Sequence, residues 1–229
     1  MPSPVQLAVS VAAADLSRLG WAVQTAEEAG ADLIHIDLED GVFLPSLTFG
    51  PGMIRALRPH SKLPFDVHVE LARPEDYLEA IAQAGADRIT VHVEACPYLF
   101  RTLRQIRALG KTPGVAFNAS TDLEVLPLIL EEVKIVHLLT SDPDRAGQSF
   151  LPACLEKIRE ARRRIGDRRI RLQVDGGLRA DLVPQVVDAG ADVLVVGRAV
   201  WAEGDPARSL SAFREASRRL DESPSRGRA

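Results

Sequence analysis

The tetrapeptide Ala-Gly-Ala-Asp occurs at residues 29–32, 84–87 and 189–192. Each copy follows a stretch of helical character and precedes a run suited to a strand: Leu33-Ile-His-Ile, Arg88-Ile-Thr-Val and Val193-Leu-Val-Val. Glycine suits the left-handed position just past a helix, small alanines let helix and sheet approach closely, and aspartate turns the chain. Chance repetition in an alanine-rich chain is the alternative, and the shared position before a strand argues against it. The copies mark βα units.

The same alternation continues between them. Strands are expected at 5–10, 33–37, 65–69, 88–92, 112–116, 135–139, 170–175 and 193–197. Helical patterns fill the gaps, for example 16–29, 74–84, 98–109, 151–165, 182–189 and 207–220, several opened by a proline or a capping residue. Eight strands separated by helices point to an α/β fold of the closed parallel (β/α)8 TIM barrel type, with a doubly wound open sheet as the alternative. With 229 residues, 46% of them hydrophobic, the chain suits one large core, so residues 1–220 read as a single barrel domain. Residues 221–229 are polar and basic and read as a flexible C-terminal tail.

Composition narrows the partners. A formal charge of −4 gives no basic footprint for nucleic acid or an anionic membrane, which leaves a small-molecule partner. No apolar run approaches the roughly 20 residues that span a bilayer. The start, Met1-Pro-Ser-Pro-Val-Gln, has no basic leader, so the expected location is cytoplasmic. Cys96 and Cys154 are too few and too far apart for a disulfide framework or a thiolate metal site, and read as buried thiols. The basic stretch at 159–169 reads as solvated helix surface.

In a barrel of this type the chemistry sits at the carboxyl ends of the strands. On the second strand His35, Asp37 and Glu39 alternate with Ile36 and Leu38, and on the third Asp66, His68 and Glu70 alternate with Val67 and Val69. A period of two puts each trio on one face. The seventh strand ends at Asp175-Gly-Gly and the fourth at Thr90-Val-His92. Two histidines and two aspartates from three strand ends could converge on one divalent metal, since neutral imidazole and carboxylate together suit Zn²⁺, Fe²⁺, Mn²⁺ or Co²⁺. A single inward histidine is more often a hydrogen-bonded core residue, but several polar groups gathered at one barrel mouth would be costly to bury without a shared purpose.

Over residues 5–220 the sequence resembles the ribulose-phosphate 3-epimerase family. The resemblance rests on Ser10 with Ala14-Asp-Leu-Ser-Arg-Leu-Gly20, His35-Ile-Asp-Leu-Glu-Asp-Gly41, Leu47-Thr-Phe-Gly-Pro51 and Leu63-Pro-Phe-Asp-Val-His68. It extends through Arg88-Ile-Thr-Val-His-Val-Glu94, Gly147-Gln-Ser-Phe150, Val174-Asp-Gly-Gly177 and the stretch from Ala189 to Gly197. It implies that His35, Asp37, His68 and Asp175 hold the metal, that Asp37 and Asp175 are the acid/base pair, and that Ser10 contacts substrate. It also places a substrate phosphate on backbone amides near Gly147, Gly176, Gly177 and Gly197, where helix amino termini favour an anion. Inverting a carbon beside a ketone removes a proton from one face and returns one to the other. Two carboxyl groups of different acidity must therefore flank it, and a dication stabilises the enediolate between the two steps. No organic cofactor is needed. The implied partner is a sugar phosphate, and the implied assembly a homo-oligomer.

The chain departs from the family where methionines usually line the pocket: it has Glu39, Glu70 and Leu139. The loop after the sixth strand reads Asp142-Pro-Asp-Arg-Ala-Gly147 in place of the usual Asn-Pro-Gly-Phe-Gly-Gly, and Arg198 replaces a small residue. Asp37, Glu39, Glu70 and Asp175 would set four carboxylates against one dication, and their repulsion is expected to raise some of their pKa values or to recruit a further positive group. Arg145, Arg198, a second metal and a modified substrate are the candidates, and glutamates pointing partly to solvent are the bland alternative. The expectation is an active metal-dependent epimerase for a related, modified sugar phosphate rather than plain ribulose 5-phosphate, with ribulose 5-phosphate itself as the alternative. A catalytically lapsed relative that binds a phosphorylated metabolite or a protein partner, and another phosphate-binding barrel, are the competing readings.

Overall fold

The computed structural model describes residues 4–142, 149–202 and 204–218. Eight parallel strands close into a barrel in sequential order. They are β1 (Gln6–Ser10), β2 (Leu33–Glu39), β3 (Phe65–Glu70), β4 (Arg88–His92), β5 (Thr112–Phe117), β6 (Ile135–Leu139), β7 (Arg171–Asp175) and β8 (Val193–Val196). Outside lie α1 (Leu19–Glu28), α2 (Pro51–Leu57), α3 (Leu78–Ala84), α4 (Leu99–Ala108), α5 (Leu126–Ile129), α6 (Cys154–Ile165), α7 (Val183–Asp188), α8 (Arg198–Trp201) and α9 (Pro206–Arg218). The closed barrel excludes the open-sheet alternative. Every expected strand is present, with small shifts at the ends. The helical stretch expected from residue 16 divides into a 3-10 turn, Leu16–Arg18, and α1. The tail expected at 221–229, and the loop positions Arg145 and Gly147, lie outside the described residues. Among the described residues no helix is long and apolar enough to cross a membrane. Cys96 and Cys154 are both buried and free, as expected.

The three Ala-Gly-Ala-Asp copies share one structural role. Their glycines, Gly30, Gly85 and Gly190, have φ of 88°, 115° and 116°, which ends each helix in the left-handed region. Each aspartate then accepts the backbone N–H of a neighbouring strand: Asp32 from Leu7 at 2.7 Å, Asp87 from Phe65 at 2.8 Å and Asp192 from Leu172 at 2.8 Å. An arginine from a helix or its end closes each junction, Arg214 on Asp32, Arg58 on Asp87 and Arg162 on Asp192. The repeat thus pins three helix-to-strand joints at the amino-terminal rim of the barrel, away from the carboxyl ends of the strands.

Outward-facing side chains such as Ile34, Ile36 and Leu38 pack with Val23, Ile54 and Leu57 of the helices in one continuous buried cluster. Ala8, Leu33, Val193 and Val195 form a second, smaller cluster. Strand periodicity assigns these four to the barrel interior, where they plug its lower end. Further up the same inward rows the side chains become polar.

Candidate active site

Register decides which polar residues meet. Ser10 pairs with His35 across β1 and β2, Asp37 with His68 and Glu39 with Glu70 across β2 and β3, and Leu139 with Asp175 across β6 and β7. His35 is fully buried; its Nδ1 lies 2.8 Å from Asp66 Oδ2, and its Nε2 lies 3.0 Å from Asp37 Oδ1 and 3.6 Å from Asp175 Oδ2. His68 points Nδ1 at Asp37 Oδ1, 3.2 Å away, and Nε2 at His92 Nε2, 2.9 Å away. The Ser10 hydroxyl donates to the other oxygen of Asp37 at 2.9 Å. One ligand atom from each of His35, Asp37, His68 and Asp175 lies within 4.8 Å of the other three. His68, Glu70 and His92 form a second group with ligand atoms equally close, but it shares His68 with the first.

The first donor set fits a divalent transition metal. Outer nitrogens of both imidazoles are already engaged, His35 by Asp66 and His68 by His92, so the inner nitrogens face the aspartates. Two imidazole nitrogens and two carboxylates are the ligand types that such ions prefer.

Beside these four lies a cavity of about 320 Å³. Asp37 and Asp175 line it, with Ser10, Glu39, Glu70 and Leu139 around them. Gly176, Gly177, Gly197 and Arg198 form another part of the same wall. Of the residues expected to form the site, Gly147 lies outside the described residues, while His35 and His68 are buried behind the cavity wall. Glu70 is 4% exposed, so it does not point to solvent, and Glu39 is half-buried. Both glutamates face inward, as their alternation with apolar residues requires.

The two aspartates differ in acidity. Burial would raise the Asp37 carboxyl, but the imidazoles of His35 and His68 outweigh it and hold the group well below the usual carboxylate range. Burial raises Asp175 to about 6, with His35 opposing and the Asp37 charge adding to the rise. Glu70 is pushed to about 8 by burial, with His68 opposing and the charges of Asp37, Glu39 and Asp175 contributing. Burial also raises Glu39.

Further polar residues support this layer. Gln173 Nε2 donates to Asp66 Oδ2 at 2.7 Å and lies 3.0 Å from His137 Nδ1. The His137 ring stacks on His68 with centroids 4.2 Å apart, and its Nε2 lies 3.5 Å from Asp175 Oδ2. Burial, followed by the charges of His68 and His35, lowers His137 well below the ordinary imidazole value. The sequence marks Asp66 as an inward acid but not as the group that orients His35. His137 and Gln173 escape the sequence reading altogether, although Gln173 alternates with apolar neighbours between Arg171 and Asp175 and carries the same period-two signal.

The sequence matches the ribulose-phosphate 3 epimerase family over residues 6–201. It is 39% identical over 213 residues to ribulose-phosphate 3-epimerase of Bacillus subtilis, covering 92% of this chain and 98% of that one. Against the Synechocystis enzyme of the same name identity is 42% over 222 residues, covering 95% and 96%. Among solved structures, KGPDC from Streptococcus mutans superposes with a TM-score of 0.73 at 16% identity, over 95% of this chain and 99% of that one. Orotidine 5'-phosphate decarboxylase from Pyrococcus horikoshii superposes with a TM-score of 0.68 at 19% identity, over 93% and 99%. Those two likenesses establish a common barrel, whereas the family match and the closer sequence relatives establish membership. The chain belongs to the ribulose-phosphate 3-epimerase family.

Proposed function

We propose that this isomerase inverts C3 of ribulose 5-phosphate, or of a closely related ketose phosphate, by proton transfer between Asp37 and Asp175 at a divalent metal site. The observation that carries this reading is the pair of aspartates lining one cavity, their carboxylates within 4.8 Å of each other and their acidities driven apart by burial and by the histidines. In one direction, the carboxylate on one side of the sugar takes the C3 proton while the carboxyl group opposite gives up its own. The reverse reaction exchanges the two roles. The Ser10 hydroxyl orients Asp37 for this step, and the His137 ring flanks Asp175.

A Zn²⁺, Fe²⁺, Mn²⁺ or Co²⁺ ion held by His35, Asp37, His68 and Asp175 would supply positive charge beside the oxygens on which negative charge develops as an enediolate forms. Gly176, Gly177 and Gly197 leave room for a phosphate against the backbone, with Arg198 beside them on the cavity wall. Glu39 and Glu70 offer hydrogen-bond acceptors to sugar hydroxyls.

Metal removal tests the reading. Protein stripped by a chelator, and shown by elemental analysis to be metal-free, is expected to lose at least about 100-fold in kcat, because Lewis-acid stabilisation amounts to several kcal/mol. Activity should return on addition of one of the four ions. Unchanged turnover by the metal-free protein would refute a metal-dependent mechanism.

A further inference from the structure

His92 and Glu94 are neither ligands nor proton carriers in the mechanism above, yet they continue the line of bonds that begins at His68. His92 is fully buried at the end of β4, and the Phe43 ring covers it with centroids 4.8 Å apart. Its Nε2 lies 2.9 Å from His68 Nε2, and its Nδ1 lies 3.0 Å from Glu94 Oε2. The other oxygen of Glu94 accepts the backbone N–H of Asn118 at 2.8 Å and the hydroxyl of Thr121.

Around a neutral His68, the form a metal ligand needs, these contacts have one consistent polarity. A carboxylate accepts and does not donate, so the hydrogen between Glu94 and His92 belongs to His92 Nδ1. A neutral imidazole with its proton on Nδ1 presents a lone pair at Nε2, so the hydrogen between the two rings belongs to His68 Nε2. A neutral His68 is then left with a lone pair at Nδ1, the nitrogen that faces Asp37 and the cluster, where an ion held by that cluster would take it up. The reverse polarity would place the bare Nδ1 of His92 against a carboxylate. A doubly protonated His92 would place a cation 2.9 Å from an imidazole that itself binds a dication.

We propose that Glu94 and His92 form a positioning relay that holds His68 in the tautomer able to bind metal through Nδ1. The relay rests on the metal-dependent reading above. Without it, the His68 proton is free to rest on Nδ1 as a donor to Asp37, which is the wrong form for a ligand. Glu94 has a second task, since its Oε1 fastens the loop after β5, so variants of His92 separate the relay from loop anchoring.

The test compares the metal affinity of the wild type, His92→Gln and His92→Leu, measured by competition of a chromophoric chelator for Zn²⁺. Glutamine can place an amide oxygen near the position of Nε2 and accept from His68, whereas leucine cannot. His92→Leu is expected to bind Zn²⁺ about 10–100-fold more weakly than the wild type, and His92→Gln within about threefold of it. Equal affinity in a correctly folded His92→Leu would overturn the relay. A second measurement needs no variant: in a long-range ¹⁵N–¹H spectrum of the zinc-loaded wild type, His68 should carry its proton on Nε2 and His92 on Nδ1. A His92 protonated on Nε2 would overturn the relay even where metal binding is intact. A wild type that takes up no metal would remove the metal reading and the relay together.

Discussion

Replacing Asp175 with asparagine is expected to lower kcat for C3 epimerisation by about 10²–10⁴-fold, the usual contribution of a positioned acid or base. The amide keeps the shape of the side chain but can neither take nor return a proton. Asp175 suits the role because it lines the cavity and because burial, with the Asp37 charge beside it, raises its carboxyl while the histidines lower that of Asp37. Asp37 lies on the opposite side of that balance, held ionised by two imidazoles. The variant should be assayed at saturating metal, since the substitution also removes one negative ligand. Under those conditions Asp37 can still exchange a proton with one epimer, so deuterium should enter that epimer without inversion. A kcat within about tenfold of the wild type would take Asp175 out of the proton path.

Gly177→Ala is expected to destabilise the fold by about 2–5 kcal/mol, combining the left-handed backbone penalty with overpacking. Gly177 has φ +69°, and an added Cβ would sit 2.1 Å from the backbone nitrogen of Phe150 and 2.5 Å from the carbonyl carbon of Ser149. A side chain could rotate away from such a clash, but main chain cannot. The segments following β6 and β7 would have to part, and Gly177 itself lines the cavity between them. Urea denaturation of the two proteins measures the effect directly, and KM for the sugar phosphate should rise with it. A loss below about 1 kcal/mol would mean that the two segments do not make the contact described.

The barrel and most of its mouth are legible in the sequence because the signals are local. Residues 33–39 alternate polar and apolar side chains without interruption from His35 onward, and that alternation fixes which ones face inward whatever surrounds them. The same rule brings Glu39 and Glu70 to the cavity. What stays hidden is partnership at long range. Ala-Gly-Ala-Asp shows a helix-to-strand joint, but only the folded chain shows that Arg58, Arg162 and Arg214 select Asp87, Asp192 and Asp32. Asp66 reads as an inward acid from spacing alone, whereas its bonds to His35 and Gln173 depend on three strands meeting inside a closed barrel. His137 is hidden for another reason: Ile135-Val-His-Leu-Leu139 is apolar apart from one residue, and a lone histidine in such a run reads as core.

Deuterium incorporation tests the proposed chemistry most directly. Metal-loaded protein is incubated with ribulose 5-phosphate in D₂O, and the sugar is followed by proton NMR. Two aspartates working on opposite faces of C3 predict that the C3 epimer forms with solvent deuterium at C3 and at no other carbon. Formation of the epimer with its original C3 hydrogen retained would contradict proton transfer through Asp37 and Asp175.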